Sequence, residues 1–337
     1  MDLAGKRLLL VGGAGLIGSH TVDALLREDV KEVRIFDNFS RGKLENLEDA
    51  LKDPRVTIVS QGGDVLHPEL LDTAMKDIDG VFHFAALWLL HCYEFPAAAF
   101  EVNVRGTFNV MEACRRNKVK RLVFSSSASV YGDALTEPMT EEHPFNNDTF
   151  YGASKIAGEQ MLKSYHTKGK KTGEAFDYVG LRYFNVYGPR QDYKGAYVAV
   201  IMKMLDRVDA GLPPIIYGDG SQAYDFIYVG DCARANVCAM KGTTSDQMYN
   251  VCTGRKTSLK EVADLVFELT GAPNKIQYEP AGNSFVKNRL GAPEKAKKDL
   301  DFTAQTSLKE GLAKLIEWRK RHAAAAENKP MTSIKHG

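Results

Sequence analysis

The sequence contains no apolar run approaching the roughly 20 residues that a membrane-spanning helix needs, so no membrane association is expected. Its 44 basic and 43 acidic side chains leave a formal net charge of +1. That removes any bulk field for nucleic acid or an anionic membrane surface. The five cysteines, Cys92, Cys114, Cys232, Cys238 and Cys252, are odd in number and scattered, with no CxxC pair. A disulfide framework is thereby excluded, and a reduced, cytoplasmic protein with buried thiols is expected. The eight histidines form no HxxxH or comparable ligand spacing, so no metal site is expected. Met1-Asp-Leu-Ala-Gly-Lys6 leads straight into a strand pattern and lacks the form of a signal peptide. There is no internal repeat.

What remains is an ordinary globular balance, 44% hydrophobic and 26% charged over 337 residues. Short apolar runs alternate with amphipathic stretches. Strands are predicted at Arg7–Val11, Glu32–Phe36, Val56–Val59, Gly80–Phe84, Arg121–Phe124 and Tyr178–Leu181. Helices are predicted at Ile17–Leu26, Phe100–Arg116 and Gly152–Tyr165. This alternation implies an α/β fold with a doubly wound parallel sheet. Beyond Arg182 turn clusters interrupt helical stretches at Tyr197–Ala210, Val229–Met240, Ser258–Leu269 and Leu308–His322. The expected organisation is a dinucleotide-binding domain over 1–181, a smaller, loop-rich substrate lobe over 182–322, and a frayed tail over 323–337. Ile215–Tyr217 and Tyr249–Val251 are candidate strands returning to the main sheet.

Gly12-Gly-Ala-Gly15-Leu-Ile-Gly18 follows the first strand and opens the first helix. Gly15 lets backbone approach a pyrophosphate, Gly18 lets helix and strand pack closely, and the helix N-terminus attracts phosphate. Asp37 ends the second strand, where a carboxylate accepts from the adenosine ribose and repels a 2′-phosphate, favouring NAD over NADP. Arg41 lies nearby and can soften that preference. Asp64 can accept from the adenine amino group. His83-Phe-Ala-Ala86 ends the fourth strand with small residues, and His83 reads as a packed histidine. Ser125-Ser-Ser127 ends the fifth strand, on the side where parallel sheets bind ligands. Tyr151 and Lys155 lie one helical turn apart, where an ammonium beside a phenol favours the phenolate.

Together these residues resemble an extended short-chain dehydrogenase/reductase of the nucleotide-sugar epimerase/dehydratase family, a Rossmann-fold group. Further carriers of the resemblance are Asn103-Val-x-Gly-Thr, Ser125-Ser-Ser-Ala-Ser-Val-Tyr-Gly132, Tyr151-x-x-x-Lys155, Arg182-Tyr-Phe-Asn-Val-Tyr-Gly-Pro-Arg190 and Gly218-Asp-Gly220. The resemblance implies NAD as cofactor, a nucleotide sugar as substrate and a homodimer. The dimer would form through the helices near Val102–Arg116 and Gly152–Tyr165, whose Phe108, Met111, Met161 and Leu162 serve either that interface or only the core. It implies Tyr151 as base, Ser127 as catalytic serine, and Lys155 as the group that holds the nicotinamide ribose and lowers the tyrosine pKa. Cofactor contacts are implied at Gly12, Gly15, Leu16, Ile17, Gly18, Asp37, Asn38, Asp64, Val65, Phe84, Ala85, Ala86, Asn103, Ser125 and Tyr183, besides Tyr151 and Lys155. Substrate contacts are implied at Ser127, Asn185, Tyr224, Lys287 and Arg289.

Sugar dehydratases of this family carry an Asp-Glu pair shortly before Val-Tyr-Gly, and related decarboxylases a glutamate; here Ala128 and Ser129 stand there. Elimination at C5–C6 then lacks its proton carriers, and the segment resembles 4-epimerases. Two family arginines that contact the diphosphate are missing, at Tyr224 and near Gly282. Lys287, Arg289 and Arg190 are the candidate replacements. Arg289 can instead pair with a carboxylate, as in a uronic acid. Trp88-Leu-Leu-His-Cys92 replaces the loop after the fourth strand and either caps the ligand or packs in the core. A cofactor-releasing dehydrogenase or ketoreductase shares all of these residues, and a non-catalytic dinucleotide sensor could dispense with the Tyr-Lys pair. Tyr151→Phe is expected to abolish epimerisation in an NMR assay of sugar interconversion; a wild-type rate would overturn the assignment.

Overall fold

The computed structural model describes residues 1–192, 200–280 and 288–327, side chains of 323–327 excepted. Six strands come from the first part of the chain: β1 (Arg7–Val11), β2 (Glu32–Phe36), β3 (Val56–Ile58), β4 (Gly80–His83), β5 (Arg121–Ser127) and β6 (Tyr178–Tyr183). Seven more follow: β7 (Asn185–Tyr187), β8 (Ile215–Tyr217), β9 (Ala223–Tyr228), β10 (Gln247–Val251), β11 (Lys256–Ser258), β12 (Gln277–Glu279) and β13 (Asn288–Arg289). The main sheet is parallel, in the order β10-β6-β5-β4-β1-β2-β3.

Side-chain alternation sorts β1 between two cores. Leu8 and Leu10 face one helical layer with Val22, Leu25, Ala235 and Met240. Leu9 and Val11 face the other with Leu71, Val110, Met111 and Leu162. These layers come from α1 (Leu16–Leu25), α2 (Pro68–Ala74), the short α3 (Leu89–Glu94) and α4 (Pro96–Ala99), α5 (Thr107–Arg116) and α6 (Phe150–Thr172). Residues Phe100–Gly106 form a π-helical stretch before α5, where a continuous helix was predicted. Burial on both faces is the reason Leu8–Val11 of β1, Leu122–Ser126 of β5 and Tyr178–Leu181 of β6 are apolar or small rather than alternating.

The second part supplies α7 (Val200–Asp209), α8 (Val229–Lys241), α9 (Leu259–Thr270), α10 (Glu294–Leu300) and α11 (Leu308–Glu327). Gln247–Val251 joins the main sheet beside β6. Ile215–Tyr217 does not: its three residues pair with β12 in a separate two-stranded sheet. Helix α8 packs on α1, so the layered domain draws on residues well beyond 181. The lobe has its own core, including Ile201, Met202, Leu205, Phe226, Val262, Val266, Leu312 and Leu315. Strands β7, β11 and β13 flank β9 there. The predicted segment 197–199 lies outside the described residues, and the helix continues through 323–327 where a frayed tail was expected. Met111 and Leu162 belong to the core and are unavailable to an outer face, whereas Phe108 is exposed.

One buried ion pair ties β5, β6 and α6 together. Arg182 on β6 grips Glu159 on α6 through Nε–Oε1 at 2.9 Å and Nη2–Oε2 at 2.6 Å. The Ser126 hydroxyl on β5 donates to the same carboxylate at 2.5 Å, and Arg182 Nη1 reaches the Tyr131 hydroxyl and the Glu141 carbonyl. Breaking a buried pair strands a charge in low dielectric at about 3–5 kcal/mol. Arg182→Met is therefore expected to lower unfolding stability by about that amount in urea denaturation.

Candidate active site

The carboxyl ends of the parallel strands open onto a cavity of about 340 Å³. Gly12, Gly15, Leu16, Ile17 and Gly18 wall it from the turn after β1, and Asp37 and Asn38 from the end of β2. Asp64 and Val65 follow β3, Phe84, Ala85 and Ala86 follow β4, and Ser125 comes from β5. Tyr151 and Lys155 project from α6.

The glycines have separable reasons. Gly12 has φ +84°, and a Cβ there would lie 2.6 Å from the Ala85 nitrogen. A Cβ on Gly18 would fall 2.3 Å from the Gly12 carbonyl oxygen. Both are demanded by the protein's own packing. Gly15 is not: an added Cβ would meet nothing nearer than that oxygen at 3.5 Å, so the free space belongs to the cavity. Gly15 caps α1 without a side-chain hydrogen bond, which leaves the helix N-terminus available to an anion. Asp37 accepts from the Ala14 and Phe39 N–H groups at 2.8 Å each, and burial raises its carboxyl pKa. Asn46 Nδ2 donates to the Ala14 carbonyl at 2.8 Å, folding the loop after β2 onto the glycine turn. This donor set, with an open helix terminus and a carboxylate at the end of β2, fits an adenine dinucleotide.

At the other end, Thr149 caps α6 by accepting from the Gly152 N–H at 3.0 Å. A Cβ on Gly152 would strike the Ser129 carbonyl oxygen at 2.5 Å, so glycine lets α6 press its first turn against the serine segment. That contact brings Tyr151 to Ser127. Lys155 is buried, donates to the Ser125 carbonyl at 2.8 Å, and sits 5.7 Å from the Tyr151 ring centroid. Burial pushes the Lys155 ammonium down to about 8. Burial pushes the Tyr151 phenol up to about 12, against a Ser127 hydrogen bond and the charges of Arg41 and Arg289. In this arrangement the Lys155 ammonium is turned toward the Ser125 carbonyl, and the charges of Arg41 and Arg289 act on the Tyr151 phenol.

Several expected contacts fall elsewhere. Asn103 lies behind the cavity, accepting from the Leu87 N–H at 2.7 Å and donating to the Leu87 carbonyl and Ser154, because these bonds consume its amide. Tyr183, on the same face of the sheet as Ser127, is buried against α8, its hydroxyl donating to Asn236 at 2.7 Å. Asn185 Nδ2 is bonded to the Asp225 carbonyl. Ser127 sits just past the cavity wall, 3.1 Å from the Ser129 hydroxyl. Tyr224 and Arg289 face each other in register on β9 and β13, and Lys287 lies outside the described residues. His83 bonds Thr107 at 2.9 Å, and burial pushes it down to about 3, so it is a neutral packed histidine.

The structure also joins Arg41 and Trp88, both noted in the sequence, and adds Asp192. Arg41 stacks 3.8 Å above the Trp88 ring and lies 3.8 Å from Asp192; all three line the cavity. The short loop after β2 and the aromatic after β4 were the sequence signals, but neither predicts that the two meet. Among the described residues no helix is long and apolar enough to cross a membrane, and no group of three His, Cys, Asp or Glu residues forms a metal cluster.

Residues 8–252 match the model of the NAD dependent epimerase/dehydratase family. A putative UDP-glucose 4-epimerase of Methanocaldococcus jannaschii is 35% identical over 318 residues, covering 94% of this chain and 99% of that protein. A UDP-N-acetyl-alpha-D-glucosaminuronate decarboxylase of Bacillus cytotoxicus is 31% identical over 324 residues, covering 93% and 97%. The structure of a UDP-N-acetylglucosamine 4-epimerase from Methanobrevibacter ruminantium superposes with a TM-score of 0.87 at 33% identity, covering 95% and 99%.

The glycine geometry separates binding from folding. Gly15→Ala is expected to cost the fold about 1 kcal/mol or less while weakening NAD binding at least about tenfold. Gly18→Ala is expected to cost stability as well, by about 1–3 kcal/mol. Thermal denaturation and calorimetric titration with NAD measure the two effects.

Proposed function

The chain belongs to the NAD-dependent epimerase/dehydratase family, and from that membership we propose that it epimerises a nucleotide-activated sugar at C4 through a transient 4-keto sugar. The observation that carries this reading is the lack, among the described residues, of a free carboxylate in the turn after Ser127 and on the α6 turns that carry the reacting tyrosine. Ala128 and Ser129 occupy the turn after Ser127, and Glu159, the nearest acid along α6, is committed to Arg182 and Ser126. A dehydratase needs an acid and a base to expel water, whereas reversible oxidation needs only one proton acceptor.

The residues divide the work as follows. The helix terminus at Gly15 and the Asp37 carboxylate hold the cofactor at its pyrophosphate and adenosine ribose. Bound NAD supplies a hydride acceptor at the sugar C4 and later the donor. Tyr151 Oη takes the C4 hydroxyl proton, and Ser127 holds the same oxygen and passes the proton. The Arg41 and Arg289 charges stabilise the phenolate that a pKa of about 12 otherwise disfavours at neutral pH. Lys155, bonded to Ser125, presents its ammonium to the nicotinamide ribose. Both faces of the keto sugar must be offered in turn, so the cofactor has to stay in place throughout.

Decarboxylase and dehydratase relatives keep those reactions as the alternatives. A homodimer through the face carrying the exposed Phe100 and Phe108 belongs to the same proposal, as does a cytoplasmic setting, which fits five free thiols. Incubation with NAD and UDP-glucose is expected to yield the 4-epimer with no net absorbance at 340 nm. Stoichiometric NADH would identify a dehydrogenase instead, and a 4-keto-6-deoxy product a dehydratase.

A further inference from the structure

Two loops that the sheet holds apart meet across the cavity. Arg41 belongs to the loop after β2 and Trp88 to the loop after β4, and β1 lies between those two strands. Neighbouring strands stand about 4.8 Å apart, so the stack spans roughly 10 Å over the carboxyl end of β1. That end is where the glycine turn begins and where the open N-terminus of α1 follows.

The span is held from three sides. The Lys43 N–H donates to the Ala14 carbonyl at 3.3 Å, and a Cβ on Gly42 would lie 2.8 Å from the Ala14 Cβ and 2.9 Å from each Asp37 carboxylate oxygen. The base of the loop is thus pressed onto the glycine turn. Its tip rests on the indole, with the guanidinium carbon 3.8 Å from the ring centroid. From the loop after β7, Asp192 comes within 3.8 Å of Arg41 Nε and 3.7 Å of Lys43 Nζ. Neither cation makes a side-chain hydrogen bond among the described residues, and both line the same cavity as Gly15 and Tyr151.

A dinucleotide with its adenosine ribose at Asp37 and its nicotinamide end at Ser125 and Lys155 has to cross the end of β1, because β2 and β5 lie on opposite sides of that strand. The part that crosses is the pyrophosphate, which meets the α1 terminus on one side. On its other side the loop after β2 offers two cations with donors to spare. A stacked guanidinium spends only its face on the ring, which leaves its in-plane N–H groups for phosphate oxygens.

We infer that Arg41, carried on Trp88, is a cofactor-retaining residue: the stacked pair bridges the cavity over the pyrophosphate, and bound NAD leaves only when the stack opens. The inference rests on the epimerase reading above, which requires the cofactor to stay through both hydride transfers, and names what keeps it there.

Release rates test it. Protein loaded with NADH is mixed with a large excess of NAD, and the decay of bound NADH fluorescence gives the dissociation rate. Arg41→Ala and Trp88→Leu are each expected to speed release at least about tenfold. The double variant should match the faster single variant within about twofold, since each change opens the same bridge. Arg41→Lys should recover only part of the slow release, because an ammonium keeps the charge but loses the flat stack. Without cofactor the Arg41 variants should melt close to wild type, as the side chain is 38% exposed and gives the fold no hydrogen bond. Unchanged release in either single variant overturns the inference. Multiplying effects in the double variant also overturn it, since they assign Arg41 and Trp88 to separate contacts with the cofactor. Arg41-dependent release together with net NADH formation from a sugar nucleotide would leave the bridge standing and sink the 4-epimerase reading. Epimer formation with a release rate that neither variant alters would do the reverse.

Discussion

The buried pair between Arg182 and Glu159 is the constraint on which the catalytic geometry rests. Glu159 lies one helical turn beyond Lys155 on α6, and Ser126, which bonds the same carboxylate, lies between Ser125 and Ser127 on β5. Strand alternation sends Ser126 to the helix while its two neighbours turn away from it. A buried pair gives little net stability, but it tolerates no partial solution, since either partner alone is a stranded charge. Its geometry therefore locks the height of α6 against the end of β5. The spacing of Tyr151 and Lys155 from the serine segment follows from that lock and from the close approach at Gly152.

The electrostatics of the site are set by burial first and by neighbours second. Dehydration moves Lys155 and Tyr151 in opposite directions, both toward the neutral form. Charge returns through groups brought in from distant parts of the chain, Arg41 from the loop after β2 and Arg289 from β13. A tyrosine base in a dry pocket needs such compensation, and a sequence motif four residues long does not contain it.

The main architecture was legible because β1 and β2 combine short apolar runs with a glycine or acidic terminator and β4 runs into small residues, and their limits in the sequence agree with the structure within a residue. Fifteen of the expected cofactor positions line one cavity, and all but Tyr151 and Lys155 sit at or just after the ends of parallel strands, where chain direction alone dictates placement. Asn103 and Tyr183 lie off the cavity wall because motif membership says nothing about which way a side chain points: Asn103 is spent on the Leu87 backbone and Ser154, and the Tyr183 hydroxyl on Asn236. Ile215–Tyr217 has the composition of a returning strand, yet pairing is a property of what lies beside it, and there it is β12. The stacking of Arg41 on Trp88 joins two loops whose meeting no local pattern encodes.

The last place in the main sheet, beside β6, is taken by β10, a strand that the chain reaches only at Gln247–Val251. During synthesis, every described element that lines the cavity has emerged by Asp192, while β6, buried along its whole length in the finished fold, has β5 on one side and still lacks its second neighbour. The nascent protein thus passes through a stage with an apolar sheet edge open to other chains. The same topology denies the first half any life as a portable module: cutting after the sixth strand would preserve the nucleotide motifs and leave a sticky, unfinished sheet.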